Sequence, residues 1–244
     1  MGSALVTFSG GTDSALLAAV AGEQLGRRAA ALTAVSPSLP AAELEEARAL
    51  AGAWGIRHLR VASKELEDPR YAANPHNRCY FCKSELFAIA RRKADELGLE
   101  WVIDGTHLDD LKTPRPGRQA AKEWKVRSPL VEAGFDKEDV RRASRELGLP
   151  TWDKPSAACL ASRIPHGTPV TFERLGQVEL CEDGLRHAGF RQLRARYHGE
   201  GVRLEMGPGE ISRLADAAVQ VLVQEACRRA GFRRVWIDLA GYGA

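Results

Sequence analysis

The stretch Ala4–Gly22, ALVTFSGGTDSALLAAVAG, decides the fold of this chain. It runs from an apolar segment through glycines, hydroxyls and a carboxylate into a second apolar segment with helical spacing. A strand that ends in glycines and feeds a helix directs unpaired backbone N–H groups, and the positive end of the helix dipole, at one point. The stretch therefore predicts an anion-binding turn between a buried strand and a helix. A simple tight turn is the alternative.

Apolar runs and helical patterns alternate along the first hundred residues. Strands are expected at 5–8, 29–35, 56–61 and 101–103, and helices at 13–24, 41–54 and 83–97. Such alternation predicts an α/β fold, in which a parallel sheet carries helices on both faces.

A second region follows a stretch, 111–157, that is punctuated by prolines and holds one expected helix at 137–147. Its expected elements are a helix at 172–187, strands at 192–197 and 202–206, a helix at 209–230 and a strand at 235–239. This order predicts a smaller α+β domain. We therefore expect two domains, 1–150 and 151–244, with the active site between them.

Two polar loops follow strands of the predicted parallel sheet. SGGTDS (9–14) follows the first strand, and DGTHLDD (104–110) follows the fourth. Ligands of such sheets bind at the carboxyl ends of the strands. Asp104, Gly105 and Thr106 are therefore expected in the same crevice as the first loop.

The composition is that of a globular protein from a reducing compartment. The 244 residues are 44% apolar, enough to bury a full core, and the net charge of +3 is spread along the chain. This spread argues against a dedicated nucleic-acid surface. The sequence has neither a run of eighteen apolar residues nor a signal-peptide pattern, so we expect a cytoplasmic protein without membrane contact. Five cysteines, an odd number, suit thiols used in chemistry or metal binding.

The first loop is not a Walker P-loop, because that motif needs a lysine and none follows here until Lys64. Its form S-G-G-x-D-S resembles the PP-loop of the ATP pyrophosphatase superfamily, whose members cut ATP between the α and β phosphates. Backbone amides and hydroxyls suit the departing pyrophosphate, and Asp13 suits Mg²⁺. The candidate ATP-binding residues are Ser9, Gly10, Gly11, Thr12, Asp13 and Ser14.

The acceptor chemistry is expected around Cys159. In GLPTWDKPSAACLASRIPHGTPVT (148–171) this thiol lies in a polar, proline-rich segment with Lys154 and Arg163. Such surroundings favour a reactive thiolate. A packed small residue is the alternative.

That segment, with VRSPLVEAGFDKEDVR (126–141) before it and RLGQVELCEDGLRHAGF (174–190) after it, resembles the LarE family of ATP-dependent sacrificial sulfur transferases. The resemblance covers nearly the whole chain. It implies adenylation of the carboxylates of a pyridinium dicarboxylate mononucleotide and their conversion to thiocarboxylates, on the route to a nickel-pincer nucleotide cofactor. It also implies a homo-oligomer.

The resemblance implies a role for each matching residue. Cys159 matches the cysteine whose sulfur is passed on, with Ser162 and Arg163 as the polar pair beside it. The residues implied to line the substrate pocket are Glu182, Arg194 and Arg196. Alternate positions on a strand face one side, which suits the two arginines, although a solvated strand face is the alternative.

The chain departs from the family pattern twice. Family members commonly read DYRPG where this chain has Thr113-Pro114-Arg115-Pro116-Gly117, so the role of the absent Asp and Tyr is open. The chain also stops soon after DLAGYG (238–243), where a small polar tail is expected.

Cys79 and Cys82 form a C-x-x-C pair just before the helix expected at 83–97. With Cys159 they make three thiols, the number that leaves one iron of a [4Fe–4S] cluster without a protein ligand. We therefore expect a cluster that holds and delivers sulfide, with structural packing of the pair as the alternative. Cys181 and Cys227 lie on helical patterns and are expected in the core.

Two other functional classes stay open. The first is another PP-loop enzyme, a tRNA thiolase or an amide-forming synthetase, although neither a glutaminase segment nor an RNA-binding module is recognisable. The second is a carrier that binds a nucleotide or a metal without catalysis.

Overall fold

The computed structural model describes residues 1–155 and 158–242 and divides the chain into two compact units. The N-terminal unit comprises Met1–Tyr71 and Pro75–Ala157. The C-terminal unit comprises Ala72–Asn74 and Ala158–Ala244. Within the described residues, no helix has the length and apolar character needed to cross a membrane.

A four-stranded parallel sheet forms the centre of the N-terminal unit, as the alternation of elements predicts. Its strands are β1 (Ala4–Thr7), β2 (Ala29–Val35), β3 (Arg57–Ala62) and β4 (Trp101–Ile103). Their spatial order is β3-β2-β1-β4, and all three pairings are parallel. The first strand is therefore central, and all four of its residues are buried.

Helices cover both faces of this sheet. The helices of this part of the chain are α1 (Thr12–Leu25), α2 (Ala41–Ala53), α3 (Pro69–Ala72), α4 (Arg78–Glu96), α5 (Pro116–Glu123), α6 (Pro129–Glu132) and α7 (Lys137–Glu146). Short 3₁₀ turns lie at Gly26–Arg28, Glu65–Glu67 and Leu108–Leu111. Because side chains alternate along a strand, Val6 packs in the core with α1 and α2, whereas Leu5 packs with α4 on the other face.

Three of these helices, α3, α5 and α6, were not expected from the sequence. The prolines that punctuate 111–157 left only one helix expected there, but Pro116 and Pro129 each begin a further helix. Proline is well suited to the first helical position, because the N–H that it lacks would have no partner inside the helix. The helix expected at 83–97 begins earlier, at Arg78.

In the C-terminal unit the helix Phe172–His187 packs against a three-stranded sheet and against the helix Ala217–Arg229. Its strands are β5 (Leu193–His198), β6 (Gly201–Met206) and β7 (Arg234–Ile237), in that spatial order, with the first pair antiparallel and the second parallel. Its helices are α8 (Phe172–His187), α9 (Pro208–Ile211) and α10 (Ala217–Arg229), with 3₁₀ turns at Leu160–Arg163 and Ser212–Ala215. Ala195 and Leu204 are buried and share one face of the sheet, whereas Arg194, Arg196 and Glu205 lie on the other.

The prediction of a single helix at 209–230 is wrong, because the structure has two helices there, α9 and α10, with a 3₁₀ turn between them. Asp216 is extended, and its side chain accepts a hydrogen bond from the Ala218 N–H, so a new helix starts after it. A side chain that caps the first N–H groups of a helix defines its start.

Candidate active site

The loop between β1 and α1 is stiffened by its own side chains. Ser14 Oγ accepts a hydrogen bond from the Ser9 N–H at 3.2 Å and donates one to the Gly11 carbonyl at 3.1 Å. Gly10 has φ +76°, and a Cβ there would lie 3.2 Å from Ala47 Cβ, so the position requires glycine. No described side chain caps α1, which leaves its first N–H groups to an anion.

The second predicted loop meets the first. A Cβ on Gly105 would lie 2.9 Å from Ser14 N and 3.0 Å from the carbonyl carbon of Asp13, so the two backbones pack directly together. Asp104 is buried and accepts hydrogen bonds from Thr106 Oγ1 at 2.8 Å and Ser128 Oγ at 2.7 Å. The structure therefore brings the two loops together, with Asp104 shaping the second one.

Thr12 is turned away from the loop. Its hydroxyl donates to the Thr151 carbonyl at 2.9 Å and lies 3.5 Å from the Lys154 carbonyl. The Thr12 side chain therefore fixes the segment that carries Lys154. Its backbone N–H remains in the first turn of α1.

Two lysines that the sequence does not link to the first loop lie against it. Lys137 Nζ is 2.6 Å from Asp13 Oδ1, and Lys154 Nζ is 3.2 Å from the Gly10 carbonyl. The chain separates these partners by 124 and 144 residues, respectively. The fold thus places two ammonium groups beside a loop that has no lysine of its own, and no local sequence signal pairs these residues.

Packing between α1 and α7 explains the position of Lys137. Leu16 of α1 and Val140 of α7 belong to one buried cluster. Asp13 and Lys137 each precede those residues by three positions, which is nearly one helical turn, so the two side chains lie beside the same contact. A capping box between Asp136 and Asp139 starts α7 at this point.

Asp13 lies between a cation and an imidazole. Its carboxylate is 29% exposed, the Lys137 side chain is 31% exposed, and His107 Nε2 lies 3.9 Å from Asp13 Oδ1. A partly exposed carboxylate at the mouth of an anion-binding loop fits Mg²⁺, which takes one or two protein carboxylates together with water and phosphate oxygens. The sequence pattern gave His107 no role.

Lys154 is held more firmly than Lys137. Its side chain is 12% exposed and also pairs with Glu43 Oε2 at 2.7 Å and Glu46 Oε2 at 2.8 Å, both on α2. These two carboxylates fix the ammonium group against the Gly10 carbonyl. The prediction of a reactive thiolate at Cys159 relied on Lys154 as a neighbouring positive charge. In the structure the Lys154 ammonium group pairs instead with Glu43 and Glu46.

The C-x-x-C pair is part of a helix. Cys79 and Cys82 are the second and fifth residues of α4, where the sequence predicts a loop before the helix, so that expectation is wrong. Positions i and i+3 share one helical face, and both thiols reach the surface, Cys79 more than Cys82. Over 1–155 and 158–242, the structure places no three or more His, Cys, Asp or Glu side chains in a group able to hold a metal ion. The cluster with Cys159 stays a prediction.

The segment that departs from the family pattern packs against the same turn. Pro116 begins α5, and a Cβ on Gly117 would lie 2.9 Å from Lys83 Cγ on α4. Arg115 Nη1 lies 2.8 Å from Asp110 Oδ1. The segment therefore links the second loop to the helix that carries Cys79 and Cys82.

Cys159 is exposed at the start of the 3₁₀ turn Leu160–Arg163, in the C-terminal unit. The Arg163 guanidinium group binds the backbone of this turn. Its Nη1 donates to the carbonyls of Ala158 and Cys159 at 2.6 and 3.2 Å and lies 3.0 Å from Ser162 Oγ. Because Arg163 is 4% exposed, its contacts fix the backbone that presents the thiol.

Glu182 completes this support. It is fully buried on α8, and its Oε1 accepts from Arg163 Nε at 2.8 Å and from the Ala195 N–H at 3.0 Å. Its Oε2 accepts from Arg163 Nη2 and Arg186 Nη2. Arg163 and Glu182 therefore bind each other and fix the backbone of the Cys159 turn, so both are placed as positioning residues. The family resemblance implied instead that Glu182 lines the substrate pocket.

The two arginines of β5 differ in what their guanidinium groups already bind. Arg196 makes a two-pronged contact with Glu205, at 2.8 and 2.9 Å, and donates to the Ser162 carbonyl at 2.7 Å. Arg194 lies over the Tyr242 ring at 4.4 Å, and its buried Nε has no hydrogen-bond partner among the described residues. Arg194 therefore keeps donor capacity for an anionic ligand, whereas Arg196 anchors the Cys159 turn.

Comparisons with known proteins bear on both units. A family model described as asparagine synthase matches residues 3–85. An uncharacterised protein of Synechocystis sp. is 48% identical over 240 residues, which is 98% of this chain and 89% of that protein. Pyridinium-3,5-bisthiocarboxylic acid mononucleotide synthase of Lactiplantibacillus plantarum is 34% identical over 239 residues, 97% of this chain and 86% of that enzyme. One subunit of the glutamine-hydrolysing GMP synthase of Thermoplasma acidophilum is 25% identical over 203 residues, 77% of this chain and 66% of that polypeptide.

Proposed function

This chain belongs to the LarE family of ATP-using PP-loop sulfur transferases, and on that premise we propose that it adenylates the carboxylates of pyridinium-3,5-dicarboxylate mononucleotide and converts them to thiocarboxylates. The observation that carries the proposal is the 34% identity with the named synthase over 97% of the chain. The product named for that enzyme is a bisthiocarboxylic acid mononucleotide. The same membership supports a homo-oligomer and a place in the synthesis of a nickel-pincer nucleotide cofactor.

The first step is activation of a carboxylate by ATP. A carboxylate oxygen of the substrate attacks the α phosphorus, an acyl adenylate forms, and pyrophosphate leaves. The unpaired N–H groups of α1 suit the departing pyrophosphate, and so does the Lys137 ammonium group, which the fold brings to a loop that has no basic residue of its own. A Mg²⁺ ion, held by Asp13, would neutralise charge on the phosphates.

The second step brings sulfur to the activated carbon. In the sacrificial route the Cys159 thiolate attacks the acyl carbon, AMP leaves, and a thioester forms. Loss of the Cα proton of Cys159 then breaks its Cβ–S bond. The substrate keeps the sulfur as a thiocarboxylate, and the protein keeps a dehydroalanine.

We retain the cluster route as our preferred form of this step. Cys79, Cys82 and Cys159 all reach the surface, and thiolates are the ligands that iron–sulfur clusters use, so the donor set fits in kind. When bound, the cluster would supply an iron without a protein ligand that takes up and delivers sulfide, which permits repeated turnover. The three thiols would hold it, and the Arg163–Glu182 pair would orient the turn that carries Cys159.

Protein purified without oxygen decides between these routes. The cluster predicts brown protein with about four irons per chain that loses its iron in Cys79→Ser, Cys82→Ser or Cys159→Ser. Colourless protein that becomes lighter by one H₂S at Cys159 after a single turnover, with Cys79→Ser still active, would establish the sacrificial route.

A second candidate function is amide formation on an adenylated carboxylate or carbonyl. The asparagine synthase model over residues 3–85 and the 25% identity with the GMP synthase polypeptide favour it. Ammonia in place of a sulfur source separates the two candidates. An amide formed as fast in Cys159→Ser as in the unaltered protein would favour the synthetase, because that chemistry needs no thiol.

A further inference from the structure

Two buried cysteines lie together outside the proposed sulfur chemistry. Cys181 on α8 and Cys227 on α10 are both fully buried, and their Sγ atoms are 3.5 Å apart. The helices approach closely beside them: a Cβ on Gly184 would lie 3.0 Å from Ala226 Cβ. A small residue on each helix therefore lets the two thiols meet.

The two thiols are chemically unequal. The Cys181 S–H donates to Cys227 Sγ. This bond and burial raise the pKa of the Cys181 thiol, while the same bond lowers the pKa of the Cys227 thiol. Cys227 is therefore the thiol that ionises first, and thiolate is the reactive form.

We propose that Cys181 and Cys227 form an oxidisable dithiol that closes to an internal disulfide and thereby alters the support of the Cys159 turn. A disulfide bond is about 2.05 Å long, so the sulfur atoms must approach by about 1.5 Å. With a hydroperoxide as oxidant, the Cys227 thiolate attacks the peroxide oxygen, giving a sulfenic acid and, for hydrogen peroxide, water. The Cys181 sulfur then displaces a second water from it. The two thiols lose two protons and two electrons in total.

The link to the Cys159 turn runs through one neighbouring residue. Cys181 directly precedes Glu182, whose buried carboxylate holds Arg163 and the Ala195 N–H. Arg163 in turn holds the carbonyls of Ala158 and Cys159. A shift of α8 at Cys181 therefore disturbs the contacts that fix the turn, without any change in the thiol of Cys159 itself.

The test uses a variant in which only these two cysteines remain, Cys79→Ser/Cys82→Ser/Cys159→Ser. The folded variant is treated with hydrogen peroxide, quenched, denatured and alkylated, and its mass is measured. We expect the loss of two hydrogen atoms and no alkylation, with both thiols recovered after dithiothreitol. Adding Cys227→Ala is the matched control and should leave one thiol that forms no internal bond. Two alkylated thiols, added oxygen atoms or a disulfide-linked dimer would overturn the proposal.

Amide hydrogen exchange tests the link to the turn in the same variant. We expect the Ala195 N–H to exchange several-fold faster after oxidation and to recover after reduction, because its acceptor Glu182 is displaced. Equal exchange in both forms would overturn the coupling. Neither measurement uses ATP or a sulfur acceptor, so a failure here is distinguishable from a failure of the proposed enzymatic function.

Discussion

Replacing Lys137 with methionine tests whether a lysine distant in sequence serves the PP-loop. Methionine keeps most of the length of the side chain and removes the charge that lies 2.6 Å from Asp13 Oδ1. A hydrogen bond donated by a charged group is worth roughly 1.5 to 3 kcal/mol. If Lys137 meets the charge that develops on departing pyrophosphate, kcat/KM for ATP should fall about ten- to a hundredfold.

The same substitution should hardly change the stability of the fold. Lys137 and Asp13 are 31% and 29% exposed, and an ion pair so accessible to solvent contributes less than about 1 kcal/mol. Urea unfolding should therefore show a midpoint near that of the unaltered protein. Loss of activity with the fold intact would place the effect on ATP chemistry.

Lys93→Met is the matched control. Lys93 pairs with Glu96 on α4 at the same distance, 2.6 Å, and its side chain is 34% exposed. ATP-dependent release of pyrophosphate, followed at several ATP concentrations, should be unchanged in this variant, and Lys137→Arg should keep more activity than Lys137→Met. Equal kinetics for Lys137→Met and Lys93→Met would refute the phosphate role of Lys137.

Three further substitutions test other parts of the proposed site. Glu182→Gln leaves the buried Arg163 without its carboxylate and should lower the free energy of unfolding by about 3 kcal/mol or more. The control Glu225→Gln, in an exposed pair with Arg229, should change the free energy of unfolding by less than about 1 kcal/mol. Similar urea midpoints for both variants would contradict the positioning role of Glu182. Arg194→Ala should weaken binding of the dicarboxylate mononucleotide about ten- to a hundredfold with ATP affinity nearly unchanged, as measured by calorimetry, and an equal loss of ATP affinity would move this arginine to the nucleotide site. Gly10→Ala places a side chain on a residue with φ +76° and should destabilise the protein by about 1 to 2 kcal/mol. The control Gly52→Ala, where a Cβ meets nothing within 4 Å, should not destabilise it. A Gly10→Ala protein as stable as the unaltered one would contradict the conformation of the loop.

The sequence predicts the N-terminal sheet well because three of its four strands are short runs that are largely buried. In β1, β2 and β4 the apolar pattern and the burial coincide, and the SGGTDS loop follows the central strand. The errors in predicting helices come from residue types that can either interrupt a helix or begin one. Pro116 and Pro129 look like breakers but start helices, and Asp216 begins a new helix inside one continuous apolar pattern.

The site was predicted less completely because its contacts join distant segments. The SGGTDS and DGT loops are foreseeable, since both follow strands of one parallel sheet. Lys137 and Lys154 are not, because only the packing of α7 on α1 and the carboxylates of α2 bring their charges to the loop. Nor does a sequence position distinguish a buried glutamate such as Glu182 from one that lines a pocket.

Separating activation from sulfur transfer tests the proposed function most directly. The protein is incubated with ATP, Mg²⁺ and pyridinium-3,5-dicarboxylate mononucleotide, and AMP and thiocarboxylate are measured in the unaltered chain, Cys159→Ser and Asp13→Ala. We expect AMP and thiocarboxylate from the unaltered chain, AMP without thiocarboxylate from Cys159→Ser, and neither from Asp13→Ala. Thiocarboxylate from Cys159→Ser, or undiminished AMP from Asp13→Ala, would contradict the proposed division of roles between the two residues.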